Sequence, residues 1–309
     1  MPASIPSSSR WPKQINAWYQ ASRPRSLTAT YVPVALGAVI AWQDDHFHLL
    51  HLVLALIGVL FLQISANLIN EYYDYTKGSD KQKTHGLGMI IARGLLTPRQ
   101  VLVGGGITLA LGTIIGLYFV AVTGPLVLYI GIAAVLVVVL YTAGPYPLAY
   151  IGLGEIAVFV FMGPLIVIGT YFVMAEAVSA AAIWGGLPVA FLVADLLHAN
   201  NLRDLEADRV EKKYTLATIF GRRFARGEYV FLTAGAFVVT PILVLAGIAP
   251  AATLSVMILV PEAWRLIRIA TQSEDASELH QVLLGTARLH KWFGVVYVVA
   301  WGLHVLLFG

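Results

Sequence analysis

The chain has 309 residues, no cysteine, 58% hydrophobic residues, 12% charged residues and a net charge of +3, whereas soluble domains carry about 25% charged residues. So few charges cannot clothe a soluble globule of this size, and without cysteine there is no disulfide framework, thiolate metal site or cysteine nucleophile. The composition predicts an all-α, polytopic membrane protein.

Residues 1–25 are polar, contain four basic residues and read as a cytoplasmic N-terminal segment without a cleavable signal. The remainder, 26–309, reads as one transmembrane domain. Apolar runs between charged or Gly/Pro-rich breaks predict nine helical spans, near 26–43, 49–69, 100–121, 124–142, 152–174, 179–198, 229–248, 250–269 and 291–308, with Pro261 expected to bend the eighth. Each is about 20 residues, enough to cross a hydrocarbon core about 30 Å thick.

The second span ends in Asn67-Leu-Ile-Asn70-Glu71-Tyr72-Tyr73-Asp74, followed by Lys77, Gly78 and Asp80. If the helix continues, Asn67, Asn70, Glu71 and Asp74 fall at i, i+3, i+4 and i+7 and share one face. The sixth span ends in the same style. It runs from Asp195 through His198, Asn200, Asn201, Arg203 and Asp204 to Asp208, with Asn200, Asp204 and Asp208 at i, i+4 and i+8. Polar groups at membrane depth cost several kcal/mol unless paired, hydrated or metal-bound, so both clusters are candidate functional sites.

All 20 Lys and Arg lie on one side of this scheme: four in 1–25, five in 71–99, seven in 199–228 and four in 265–291. The positive-inside rule places the N-terminus and these loops in the cytoplasm and the C-terminus outside, in a plasma (inner) membrane. Nucleic acid is excluded as a partner, because each main basic loop carries carboxylates rather than a continuous basic face.

Hard oxygen donors without matching His or Cys suit Mg²⁺, which bridges carboxylates to substrate phosphates. Lys77, Arg93, Arg203, Arg209 and Lys213 are the cations available to a diphosphate. Tyr72, Tyr73 and Tyr141 lie near the clusters and, taken singly, read as interfacial aromatic belt. Asn67 and Asn201 read either as substrate contacts or as interhelical hydrogen-bonding residues. His85 and His198 read as hydrogen-bonding partners near the charged clusters, and Asp195 is a packing or supporting group.

Together, Asn67-x-x-Asn70-Glu71-x-x-Asp74-x-x-x-Gly78-x-Asp80 and Asn200-Asn201-x-Arg203-Asp204-x-x-x-Asp208-Arg209 resemble the two aspartate-rich motifs of the intramembrane UbiA-type prenyltransferases. Asn-Asn-Leu-Arg-Asp with Lys213-Tyr-Thr215-Leu is similar to the 1,4-dihydroxy-2-naphthoate polyprenyltransferase branch of menaquinone synthesis. Ser22-Arg23-Pro24-Arg25, Tyr141-Thr-x-Gly144-Pro-x-Pro-x-x-Tyr150-Ile-Gly-Leu-Gly-Glu155 and Thr286-Ala-x-Leu-His290 extend the likeness along the chain. There are two departures: Glu71 stands where the family usually has Asp, and Lys212 where it often has Gly.

The resemblance implies a polyprenyl diphosphate held through Mg²⁺, with Asn70, Asp74, Asp204 and Asp208 as catalytic residues and Glu71, Asp80 and Asn200 as further metal contacts. It implies prenylation of a dihydroxynaphthoate ring carbon with loss of carbon dioxide, through an allylic carbocation that Tyr72, Tyr73 and Tyr141 could shield by cation–π contact. His85 or His198 would then be either a base for the acceptor hydroxyl or, as is commoner for a lone His near charges, a hydrogen-bonding partner. The alternatives are another acceptor, such as 4-hydroxybenzoate, or, from a different class, a cation-coupled transporter.

Overall fold

The computed structural model describes residues 13–78 and 89–309; Asp80 and His85 lie outside the described residues. Its helices are α1 (Lys13–Ala21), α2 (Thr28–Gln43), α3 (Leu49–Lys77), α4 (Pro98–Thr123), α5 (Pro125–Leu140), α6 (Gly154–Phe161), α7 (Pro164–Ala175), α8 (Ala180–Trp184), α9 (Leu187–Arg203), α10 (Leu205–Val210), α11 (Leu216–Leu245), α12 (Val260–Gln272) and α13 (Ala276–Phe308). The described residues form no named strand. An isolated parallel bridge joins Ile151 to Tyr214.

Local chemistry sets the ends that matter for the site. α3 has no internal proline and runs 29 residues, past the apolar stretch and through the first polar cluster, to Gly78. That glycine takes φ 81°, and its N–H bonds back to the Asp74 and Tyr75 carbonyls, a helix stop that glycine makes without a Cβ clash. α4 starts on a reciprocal cap between Thr97 and Gln100, with Pro98 in its first turn. Between α6 and α7 the backbone breaks at Gly163, where a Cβ would lie 2.4 Å from that of Ala190 on α9.

Seven segments are long and apolar enough to cross a membrane: 24–43, 49–77, 98–123, 154–175, 180–203, 216–245 and 276–308. Two of the nine expected spans are present in shorter form. α5 has 16 residues, and residues 251–259 are a 3-10 stretch leading into α12, which carries Glu262, Arg265 and Arg268. Pro261 stands in the first turn of α12; it starts this helix, because a proline there gives up no intrahelical bond, and does not bend a span.

The bundle is dense on one side and hollow on the other. α9 packs against α11 and α13, and α2 against α7 and α13. Their shared core includes the fully buried Leu36, Ile40, Tyr229, Phe293, Tyr297 and Trp301. On the other side α3 lies along α4, with Gly112 so close that a Cβ would meet Leu62 at 2.9 Å and the Gly58 carbonyl at 3.0 Å. Small residues allow such approach where lipid supplies no hydrophobic drive between helices. Tyr129, Leu245, Ile258 and Phe308 stand outward, each at least 67% exposed, an arrangement stable in a hydrocarbon solvent.

Candidate active site

A cavity of ≈ 460 Å³ opens between α3, α4, α5, α6, α7 and α9. Its polar end carries Arg23, Arg25, Asn70, Asp74, Asn200, Asp204 and Lys213; its other end is lined by apolar residues such as Val59, Leu62, Ile115, Phe119, Val127 and Ile130. The two clusters, more than a hundred residues apart in sequence, thus share one chamber that continues into a groove suited to a hydrocarbon chain.

Because α3 is continuous, Asn70 and Asp74 do project from one helical face into this chamber. Tyr150 donates its hydroxyl hydrogen to Asp74 Oδ1 over 2.8 Å. Asn70 Oδ1 is buried and accepts no hydrogen bond among the described residues. Opposite, α9 ends at Arg203, and Asp204 stands at the turn into α10. Arg203 clamps Asp204 with two bonds, Nε to Oδ1 at 2.7 Å and Nη2 to Oδ2 at 2.6 Å, and also donates to Asn200 Oδ1 at 2.8 Å. Two parallel charge-assisted bonds hold this carboxylate in one orientation.

Helical backbone bonds join Asn200, Asp204 and Asp208 in turn, and the first two line the chamber. Asp208 is fully buried and lies behind Lys213, whose Nζ is 3.1 Å from Asp208 Oδ2; Lys213, and not Asp208, lines the chamber. Burial acts to lower the Lys213 pKa, but the Asp208, Asp74 and Asp204 carboxylates outweigh it and hold the ammonium above its ordinary 10.5. The backbone N–H of Tyr214 donates to the Tyr150 carbonyl at 3.3 Å, so one loop contact fixes both Lys213 and the tyrosine that grips Asp74.

Several expected site residues do other work. Glu71 is 2% exposed and its oxygens take the backbone amides of Met89 (3.1 Å), Ile90 and Ile91 (3.3 Å), with Arg23 at 3.4 Å. Glu71 also lines the chamber, and in this arrangement it pins the chain leaving the described end of the first basic loop. Asn67 lines the chamber as expected and also donates to the Ser22 carbonyl at 2.9 Å, holding the entry segment. Tyr72 packs on the small cluster around Ala17, Leu68 and Ile90, and Tyr73 meets it edge-on; neither lines the chamber. Successive positions on a helix turn by about 100°, so neighbours of Glu71 leave its face.

Lys77 donates to the Thr142 carbonyl at 2.8 Å and sits 4.4 Å over the Tyr150 ring, supporting the loop. Arg93 is exposed and bonded to Gln20 of α1, and Arg209 is exposed and paired with Glu206; both are outside the chamber. Asn201 is on the chamber wall, but its amide donates to Glu155 at 2.8 Å. Tyr141 does line the wall; burial first, then the charges of Glu155 and Asp74, push its hydroxyl pKa up.

Arg23, Arg25 and Tyr150 are chamber residues that charge clustering did not single out. Arg23 takes φ 52°, an uncommon left-handed conformation for a side-chain-bearing residue, which places it against Glu71. Their signal in the sequence was position inside resembling segments, with no local chemistry of their own. His198 is buried away from the chamber, its Nε2 2.7 Å from the Ala225 carbonyl, and Asp195 accepts from Thr233 at 2.6 Å within the packed core.

The donor set facing the chamber, Asn70, Asp74, Asn200 and Asp204, consists of hard oxygens, and the unpartnered Asn70 Oδ1 is an acceptor that a cation would satisfy; the residues fit Mg²⁺.

Comparison with known proteins finds relatives along most of the chain. The 1,4-dihydroxy-2-naphthoate octaprenyltransferase of Bacillus subtilis (strain 168) is 31% identical over 280 residues, spanning 89% of each chain. The octaprenyltransferase of the same name from Escherichia coli (strain K12) is 35% identical over 72% of this chain and 74% of its own. A UbiA homolog from Archaeoglobus fulgidus, solved with DMAPP and Mg²⁺, shares the fold at a TM-score of 0.62 and 17% identity, covering 91% of this chain and 99% of its own. The UbiA prenyltransferase family model matches residues 30–305. The chain belongs to the UbiA prenyltransferase family, and it is a membrane-embedded prenyl-transferring enzyme, not a transporter.

Proposed function

We propose that this enzyme transfers a polyprenyl group from its diphosphate to 1,4-dihydroxy-2-naphthoate, with Mg²⁺ and loss of carbon dioxide, as a step toward menaquinone. The observation that carries the reading is the single chamber in which Asn70 and Asp74 face Asp204 and Lys213 at one end and apolar wall lines the other. The acceptor rests on the naphthoate octaprenyltransferases, 31% and 35% identical.

Asn70, Asp74, Asn200 and Asp204 would hold Mg²⁺, which when bound supplies positive charge to the leaving diphosphate. Arg203 and Lys213 add fixed positive charge at the same end, where electrostatic stabilisation of a leaving anion gains most. Asp208 keeps Lys213 in place. Breaking the carbon–oxygen bond leaves an allylic cation in the apolar chamber, with Tyr141 on its wall and bulk water excluded. A ring carbon of the acceptor supplies the electron pair for the new carbon–carbon bond. Its carboxylate then departs as carbon dioxide, and the bonding pair restores the aromatic ring. No protein nucleophile is required. The basic polar end faces the cytoplasm of a plasma (inner) membrane, with the C-terminus outside, which brings the diphosphate from the side where all 20 Lys and Arg lie.

The test is incubation of membranes holding the enzyme with Mg²⁺, a labelled long-chain prenyl diphosphate and a panel of aromatic acceptors. The expected product is the decarboxylated prenyl naphthol, formed from the naphthoate alone. Transfer to 4-hydroxybenzoate and not to dihydroxynaphthoate overturns the acceptor assignment.

A further inference from the structure

Behind the second motif, three helices bring together groups that the prenyl-transfer chemistry does not use. Glu155 begins α6, His198 lies on α9 and Glu228 on α11. One ligand atom from each lies within 4.8 Å of the others. The side chains are 4%, 0% and 10% exposed, and none of them lines the chamber.

The tautomer of His198 follows from its neighbour. Nε2 is 2.7 Å from the Ala225 carbonyl oxygen, which only accepts, so Nε2 carries hydrogen and Nδ1 is the ring nitrogen that faces the two carboxylates, free to ligate a cation in the neutral ring. Metal-binding histidines are commonly fixed by such a bond from the other ring nitrogen. Nδ1 lies 3.6 Å from Glu155 Oε1 and 3.4 Å from Glu228 Oε2 and makes no hydrogen bond among the described residues. A direct bond from an imidazolium to a carboxylate spans about 2.7–2.9 Å. The observed separations instead match the edge, about 3.4 Å, of a tetrahedron built on metal–ligand bonds of about 2.0–2.1 Å.

Charge and hydrogen bonding point the same way. Among the described residues no Lys or Arg pairs with Glu155 or Glu228, and buried charges are normally paired or metal-bound. Glu155 Oε2, Glu228 Oε2, His198 Nδ1 and Asn201 Oδ1 are all buried without a hydrogen-bond partner there. Of these, His198 Nδ1 and Glu228 Oε2 lie 3.4 Å apart, and a cation held between them and Glu155 would answer both.

We propose that Glu155, His198 and Glu228 bind a divalent transition-metal cation, with Zn²⁺ the best fit, that fastens α6, α9 and α11 together behind the chamber. One imidazole and two carboxylates suit Zn²⁺, whereas Mg²⁺ prefers octahedral oxygen and water. The site is separate from the oxygen donors facing the chamber and does not depend on the identity of the acceptor. Its link to the active site is Asn201, which donates to Glu155 at 2.8 Å and forms part of the chamber wall.

The test uses the full chain purified in detergent without chelator and dialysed against Mg²⁺. Elemental analysis should find about one Zn²⁺ per chain, and exchange with Co²⁺ should give the intense visible absorption of a tetrahedral site. His198→Gln and Glu228→Gln should reduce the bound metal to background, while Asp74→Asn, altered in the chamber, retains it. Wild type that is helical by circular dichroism yet holds no Zn²⁺ and gives no tetrahedral Co²⁺ spectrum overturns the proposal. Retention of that spectrum in both variants does the same. If His198→Gln fails to fold, the wild-type Co²⁺ titration and Glu228→Gln decide. Prenyl transfer is not a readout, so a wrong acceptor leaves this result untouched.

Discussion

Glu71→Gln separates two roles for a residue that belongs by spacing to the first acidic motif. The carboxylate takes the amides of Ile90 and Ile91 on Oε1, and Met89 and Arg23 on Oε2. A glutamine can keep the first pair with its oxygen but turns an NH₂ group toward the second, placing donors against donors. Losing one buried charge-assisted bond costs about 1.5–3 kcal/mol, and the partly exposed Arg23 pair adds at most about 1 kcal/mol. A local loss of about 2–4 kcal/mol raises the open population of this segment about 30- to 700-fold. Limited proteolysis of the enzyme in nanodiscs reads that population directly when opening is fast relative to cleavage. Cleavage after residue 78 should accelerate about a hundredfold, with the Mg²⁺ concentration for half-maximal turnover unchanged. Unaltered cleavage together with a tenfold higher Mg²⁺ requirement would refute the reasoning and return Glu71 to the metal set.

Asp74→Ala and Asp204→Ala should each lower Mg²⁺-dependent turnover at least about a hundredfold while leaving the protein in the membrane; near-normal turnover in either removes that residue from the diphosphate site. Arg93→Ala and Arg209→Ala should change KM for the prenyl diphosphate less than about twofold, because both side chains lie outside the chamber and are bonded to Gln20 and Glu206, whereas Lys213→Met should raise it about tenfold or more; the opposite ranking in steady-state kinetics overturns the chamber's boundary. The Lys213 pKa is held above 10.5 by its carboxylate neighbours, and a raised folded-state value means the stabilising charge is complete below that pH and fades only as pH climbs through the folded value. KM for the diphosphate should therefore stay flat from neutral pH to about 9; a rise in that window that Lys213→Arg abolishes contradicts the assignment.

The membrane class was legible in composition because lipid forbids scattered charge: with 12% charged residues, each one is confined to a loop, a pair or a site. Asn70 and Asp74 were legible as a facing pair because α3 runs unbroken to Gly78, so sequence spacing translated directly into a helical face. At the second motif spacing was not enough: Asn200 and Asp204 line the chamber, whereas Asp208, one helical turn on, is buried against Lys213. Arg93 and Arg209 could not be told from Lys213 by charge, since side of the membrane is a one-dimensional property and access to a cavity is not. Tertiary structure alone decided that Glu71 serves the amides of residues 89–91, that Tyr150 reaches Asp74 across 76 positions, and that Glu155, His198 and Glu228 meet. The physical reason is common to all three: hydrogen bonds and metal sites need atoms within about 3 Å, and only the packing of helices distant in sequence brings those atoms together.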